Sequence, residues 1–160
     1  MPIVESSTEI RARDEDVFDL AQDYALRLEW DPFLKKMKFL GGATEAGVGV
    51  TVWVQAKNQL TMEVVYITVD RPRSVAMKMR AGPWFFERFA GTWRFDPCAA
   101  DRTRVTFRYN FETRWRAVRP LVNRVIARVF ARDVRLRLRG LKRAAEQTDI
   151  LVRLRRSTSA

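Results

Sequence analysis

Two carboxylates lie among apolar neighbours where a proton could be held or released. Glu87 stands two residues from both Phe85 and Phe89, and Asp133 follows Val129 by one helical turn. A carboxyl surrounded by apolar groups ionises less readily, which is how general acids and bases are made. Each also has an ordinary reading. A β-bulge or strand end would turn Glu87 outward or hand it to a nearby cation, and Arg137, one turn beyond Asp133, offers a helical ion pair. Tyr66 and Tyr109 add hydroxyls able to orient a polar group. The remaining catalytic repertoire is thin. The chain has no histidine and a single cysteine, Cys98, so thiol, zinc and Ser-His-Asp chemistry lack their usual residues and no intrachain disulfide can form. No metal-ligand set and no cofactor motif is legible. Gly41, Gly42, Gly47 and Gly49 precede a strand rather than a helix N-terminus, and no Gly-Lys-Ser/Thr follows, so they read as hairpin turns.

A net charge of +11 on 160 residues resembles a nucleic-acid signature until it is located. Residues 1–113 hold 16 basic and 16 acidic side chains; residues 114–160 hold 14 basic and 3 acidic. The whole excess sits on the C-terminal segment. There Arg124, Arg128, Arg132, Arg135, Arg139 and Arg143 recur every three or four residues, along one helical side. Such a row is either a solvated face or a surface for phosphates, on an anionic membrane or on nucleic acid.

The elements that must position these groups follow from periodicity. Residues 4–12 alternate as a first strand. Asp14, Glu15 and Asp16 then suit the first turn of a helix, and Val17, Leu20, Ala21, Tyr24 and Leu28 continue it. Asp31-Pro32 predicts the start of a second short helix carrying Phe33, Leu34 and Met37. From there the period changes to two, with strands expected at 38–41, 48–56, 60–70, 74–81, 85–96 and 104–113, joined by short turns as an antiparallel meander. A long helix is expected over 116–146, with Pro120 near its start and Val118, Val122, Val125, Ile126, Val129 and Phe130 as its sheet-facing stripe. The expected organisation is one domain over 1–148 and a fraying basic tail over 149–160. No apolar run approaches the ~20 residues that span a bilayer and the first ten residues lack the pattern of a secretion signal, so the expected location is cytoplasmic.

The order strand, two short helices, six strands, long helix resembles that of the START-like superfamily, the polyketide cyclase/dehydrase and lipid-transport family. The resemblance reaches residues. Ser6-Ser7-Thr8-Glu9-Ile10 leading to Asp16-Val17-Phe18-Asp19-Leu20 resembles the family's opening strand and helix, and Glu29-Trp30-Asp31-Pro32 its Trp-(Asn/Asp)-Pro corner. Gly47-Val48-Gly49 resembles the glycine turn before its next strand. Gly91-Thr92-Trp93-Arg94-Phe95 with Thr103-Arg104-Val105-Thr106-Phe107 resembles its final two strands, and Leu138-Arg139-Gly140-Leu141-Lys142 its closing helix. The resemblance covers residues 3–147. It implies an α+β helix-grip fold, a curved antiparallel sheet of about seven strands wrapped around the C-terminal helix, with a cavity between the two.

The inward sheet face would then offer Met62, Tyr66, Met77, Met79, Glu87, Phe89, Trp93, Phe107 and Tyr109, and the helix Val122, Val125, Ile126 and Val129. Large apolar side chains are ordinarily core, but flexible methionines on a concave sheet facing medium-sized Val and Ile suit a pocket. Three functions compete. The first is binding or carriage of an apolar small molecule, a lipid, quinone or polyketide-like compound. The second is a polyketide cyclase or aromatase working in the same cavity. The third is a membrane- or RNA-interaction module acting through the basic helix. Nothing in the sequence selects an oligomeric state.

Overall fold

In the computed structural model, which describes residues 1–159, seven strands form one antiparallel sheet that curls around a long helix. Strand β1 (Ile3–Ile10) is followed by helices α1 (Asp14–Gln22) and α2 (Tyr24–Trp30). Strands β2 (Leu34–Phe39), β3 (Thr51–Ala56), β4 (Thr61–Asp70), β5 (Ser74–Ala81), β6 (Phe86–Ala99) and β7 (Arg102–Thr113) then run as a meander. Helix α3 (Arg119–Gln147) crosses the concave face, and α4 (Ile150–Thr158) closes the chain. The sheet order is β1-β7-β6-β5-β4-β3-β2, so β7 returns to pair with the first strand, and the two longest strands, β6 and β7, lie side by side next to the β1 edge. This is the helix-grip arrangement.

The acidic first turn expected at Asp14, Glu15 and Asp16 opens α1. The apolar periodicity that continues through Leu28 hides a break. Asp23 leaves the helical region at φ −74° and ψ 108°, and its side chain accepts from the Leu26 N–H, so it caps a new helix, α2, rather than extending α1.

The helix expected after Asp31-Pro32 is instead strand β2. Its misleading spacing has a physical cause. A register shift between Leu34 and Lys36 inserts one extra residue against β3, so Leu34 and Met37, three apart, both face inward as if on a helix. Asp31 ends α2, and its carboxylate accepts from the Phe33 N–H, bending the chain directly into the strand.

Where a fraying tail is expected, the described residues Ile150–Thr158 form helix α4. Ile150 and Leu154 are buried, Arg155 holds Asp16 at 2.7 Å and Arg153 holds Glu29 at 2.8 Å, which docks α4 on the first two helices. Among the described residues no helix is long and apolar enough to cross a membrane.

The core is concentrated at one end of the concave face. Trp93 is fully buried and stacks on Phe107 with ring centroids 3.9 Å apart, while Phe95 meets Phe18 of α1 edge to face at 5.3 Å. The second half of α3 seals this end with Val134, Leu138, Leu141, Ala144 and Ala145.

Candidate functional site

Helix α3 meets the sheet unequally along its length, and the inequality makes a cavity. Near its C-terminal half it comes close because residue 140 is glycine: a Cβ there would lie 2.5 Å from the Trp30 carbonyl oxygen and 3.2 Å from the Pro32 ring. Towards its start it stands off. Val125 and Val129 remain 53% and 55% exposed although both border the space beneath the helix. That space is a cavity of about 270 Å³ between α3 and strands β2 to β7. Its mouth is framed by the exposed residues Leu60 and Thr61 before and at the start of β4 and Val125 and Val129 of α3, with the half-buried Pro83 before β6.

Most of the wall is hydrocarbon and ring. Met62 and Met77 come from the β4–β5 pair, Phe86 and Phe89 from β6, and Phe130 from α3. The rings are organised against one another: Phe130 lies 5.1 Å from Tyr109, 5.6 Å from Phe89 and 5.9 Å from Phe86. Aromatic sets of this geometry hold shape through edge-to-face and offset contacts.

One end of the cavity is different, because buried charges meet there. Arg137 sits inside the apolar stripe of α3, 4% exposed, and its Nε and Nη2 donate to Oδ2 of Asp31 at 3.1 and 2.7 Å. Its Nη1 donates to the Tyr109 hydroxyl. Arg27 donates to the same Asp31 oxygen at 3.3 Å and to the Ala21 carbonyl at 3.2 Å. The guanidinium of Arg137 also lies over the rings of Phe107 and Phe33, at 4.8 and 5.0 Å. Burial alone would raise the Asp31 carboxyl, but Arg137 and Arg27 outweigh it and hold the group below its ordinary range. Burial raises the Tyr109 hydroxyl, so it is a neutral donor at physiological pH.

Asp133 borders this same end. Arg137 does not pair with it as helical spacing suggested, being committed to Asp31 and Tyr109, and among the described residues Asp133 has no ion pair. Burial raises its carboxyl, with the Asp31 charge adding to the rise and Arg137 and Arg132 opposing it. The arrangement can therefore hold a proton beside an apolar space and present a hydroxyl donor to it.

Of the residues singled out in the sequence, Met62, Met77, Phe89, Phe107, Tyr109, Val125, Ile126 and Val129 border the cavity. Five do not. Trp93 is spent in the packed core. Tyr66 is buried in a hydroxyl pair with Tyr24 and donates to Gln22 at 3.3 Å. Met79 and Val122 lie outside the wall, Met79 close to Gly82.

Glu87 is outward, as its ordinary reading as a bulged or cation-paired residue had it, and not on the cavity wall where the parity of Phe85 and Phe89 would put it. The register between β6 and β7 jumps from Phe86 to Arg88, leaving Glu87 as the bulged residue, and its carboxylate pairs with Arg119 at 3.0 Å. Sequence reading missed Arg27, Asp31 and Arg137. The signal for Arg137 was present: it falls on the buried stripe between Val134 and Leu141, where a cation must have a partner.

Residues 1–146 match the family described as "Polyketide cyclase / dehydrase and lipid transport". Among solved structures, the chain is similar to the protein XoxI from Bacillus cereus, at TM-score 0.75 and 15% identity, covering 92% of this chain and 97% of that one. A START superfamily protein from Mycobacterium smegmatis gives TM-score 0.73 at 14% identity, with 91% and 97% covered. The ZhuI aromatase/cyclase from Streptomyces sp. R1128 gives TM-score 0.70 at 19% identity, with 91% and 96% covered. No curated protein matches the sequence.

Proposed function

The chain belongs to the polyketide cyclase/dehydrase and lipid-transport family, and from that premise we propose that it binds one compact apolar molecule under α3, with its polar end at Tyr109. The observation that carries the reading is the contrast within a single cavity: walls of Met, Val, Ile and Phe lead to one polar end of Tyr109, Asp133 and the Arg137–Asp31–Arg27 cluster. Apolar burial supplies the affinity, and one or two placed donors supply orientation. Tyr109 accepts from Arg137, so its own proton is directed to a ketone, quinone or phenol oxygen of the ligand. At about 270 Å³ the cavity falls just below the ~300–1,000 Å³ usual for small-molecule sites, which favours a short-chain or few-ring compound over a two-chain lipid.

A second reading, cyclisation of a poly-ketone, is favoured by one specific observation: the Asp133 side chain lines the polar end of the cavity without an ion pair among the described residues, where burial favours its protonated form. In that reading Asp133 takes the proton from a carbon between two carbonyls while Tyr109 donates to the enolate oxygen. The similarity to an aromatase/cyclase fold accords with this but does not select it, since one fold hosts many chemistries.

Native mass spectrometry of gently purified protein tests the binding reading, followed by solvent extraction and by displacement of the neutral probe N-phenyl-naphthylamine. A copurifying apolar compound that displaces the probe is expected. Probe binding that survives filling of the cavity by Ile126→Trp would overturn it.

A further inference from the structure

We propose that the outward face of α3, together with Trp84 and Trp115, docks the protein on an anionic bilayer surface with the cavity mouth turned towards the lipid. At about 100° per residue, Arg124, Arg128, Arg132, Arg135, Arg139 and Arg143 fall on one side of the helix. Val118, Leu121, Val125 and Val129 form a stripe immediately beside them. All ten side chains are exposed.

What sets these arginines apart is their number along one face: several arginines elsewhere are paired, while Arg73, Arg88, Arg116 and Arg156 are exposed and, among the described residues, unpaired but do not form such a row. Arg71, Arg104, Arg108 and Arg153 sit 2.5–3.0 Å from a carboxylate. Among the described residues, none of the six α3 arginines has a carboxylate within ion-pair distance. Their charge is uncompensated locally and is available to phosphates.

Beside this row the apolar stripe continues into two indoles. Trp84, 68% exposed, and Trp115 meet edge to face at 5.2 Å, at the loop before β6 and the approach to α3. Trp84 also meets Phe85, a cavity-wall residue, at 6.1 Å. Paired exposed Trp next to exposed Leu and Val, flanked by a row of Arg, is the side-chain set that partitions into a headgroup interface: indoles and aliphatics enter the acyl boundary while guanidinium groups stay with the phosphates.

Two other occupants fit less well. A second copy of this chain would bring two unpaired arginine rows into one symmetric interface, where like charges repel. RNA would satisfy the arginines and could stack on the two indoles, but it gives no use to Leu121, Val125 and Val129, an aliphatic stripe that neither phosphate contact nor base stacking calls for. Docking on a bilayer also explains why Val125 and Val129 are at once exposed and at the cavity mouth: the mouth lies on the docking face. The inference does not require the cavity to be filled, and it stands or falls separately from the ligand reading.

Co-sedimentation with vesicles of phosphatidylcholine alone, and of phosphatidylcholine with phosphatidylglycerol, tests it. The full chain is expected to bind the anionic vesicles, to shift its Trp emission to the blue on doing so, and to release as salt rises. Reversing three charges in the variant R124E/R128E/R132E should weaken that binding by about a hundredfold or more, and W84S/W115S should weaken it and remove most of the blue shift. Both variants should keep N-phenyl-naphthylamine binding in solution, which separates this surface from the cavity. Three results would overturn the proposal: equal binding to neutral vesicles, unaltered binding by the charge-reversed variant, or single-stranded RNA bound in preference to either vesicle. Self-association through this face, seen by sedimentation velocity and abolished by L121D, would overturn it as well.

Discussion

Arg137 of α3 and Asp31 at the end of α2, 106 residues apart in sequence, share two hydrogen bonds to a single carboxylate oxygen. Both side chains are buried, and a second guanidinium, that of Arg27, reaches the same oxygen. Taking these charges from water costs several kcal/mol per ion, so the cluster persists only because each group is held by another. It fixes where α3 crosses the Trp30-Asp31-Pro32 corner, and through Tyr109 it fixes the polar end of the cavity.

Replacing Asp31 by Asn is therefore expected to cost about 3–5 kcal/mol, because it leaves two buried guanidinium groups without a counter-charge. Urea unfolding at neutral pH measures the loss. The folded-state carboxyl lies below its unfolded value, so its contribution is complete above the unfolded value of ~3.9 and disappears as pH falls through the lower folded value. The wild type should lose this part of its stability on acidification, and the Asn variant should lack that part of the pH dependence.

Gly140 permits the approach that brings Arg137 to Asp31. A Cβ 2.5 Å from the Trp30 carbonyl cannot be accommodated by a side-chain rotation, since the obstacle is backbone. Gly140→Ala should destabilise by about 1–3 kcal/mol, despite alanine's better helix propensity, by pushing α3 away from the corner. A melting temperature at or above the wild-type value would mean that the helix is not held this tightly.

Periodicity made the meander and the long helix legible, because the β5, β6 and β7 segments alternate cleanly and one face of each is core. The sequence failed where a single extra residue shifts parity. The bulge at Glu87 reversed its face, and the register shift between Leu34 and Lys36 made a strand imitate a helix. The cavity wall was legible as a set of inward apolar residues, but which of them pack and which line space depends on where α3 stands off. Gly140 and the buried ion cluster govern that, through contacts between segments distant in sequence. Trp93 and Phe89 share a strand face, yet one is core and the other is wall.

That division sets unequal costs for truncation. Trp93→Ala removes a fully buried indole stacked on Phe107 and should cost about 3–5 kcal/mol, whereas Phe89→Ala enlarges a cavity that already exists and should cost clearly less. Thermal melts of the two variants, with and without N-phenyl-naphthylamine, read the difference. Equal penalties would mean that Phe89 is filled core.

Filling the space should act in the same position-dependent way. Ile126 is half-buried on the cavity side of α3, so Ile126→Trp should reduce probe binding by about tenfold or more, at a repacking cost of roughly 1–3 kcal/mol. Val125 is more than half exposed, and a Trp there can turn outward over the mouth, leaving probe affinity within about twofold. Fluorescence titration of both variants checks the ordering, and a larger effect at residue 125 would relocate the site to the rim.

Asp133 carries the opposite pH signature from Asp31. Burial beside the cavity raises its carboxyl, so between the unfolded value of ~3.9 and the higher folded value the native state binds more protons, and stability falls as pH rises through that window. Above the folded value the cost is complete and constant. Asp133→Asn removes it: the variant should match the wild type at low pH and become the more stable of the two as pH rises to neutrality. Melting curves over an acid-to-neutral series show this directly. If the Asn variant is instead less stable at neutral pH, Asp133 serves as an ion partner for Arg137 or Arg132 and is not the protonatable wall group that cyclisation needs. If the expected sign is found, the same variant separates the two readings of function. It should still bind N-phenyl-naphthylamine with near wild-type affinity, and only a cyclase would lose product formation from a poly-ketone substrate.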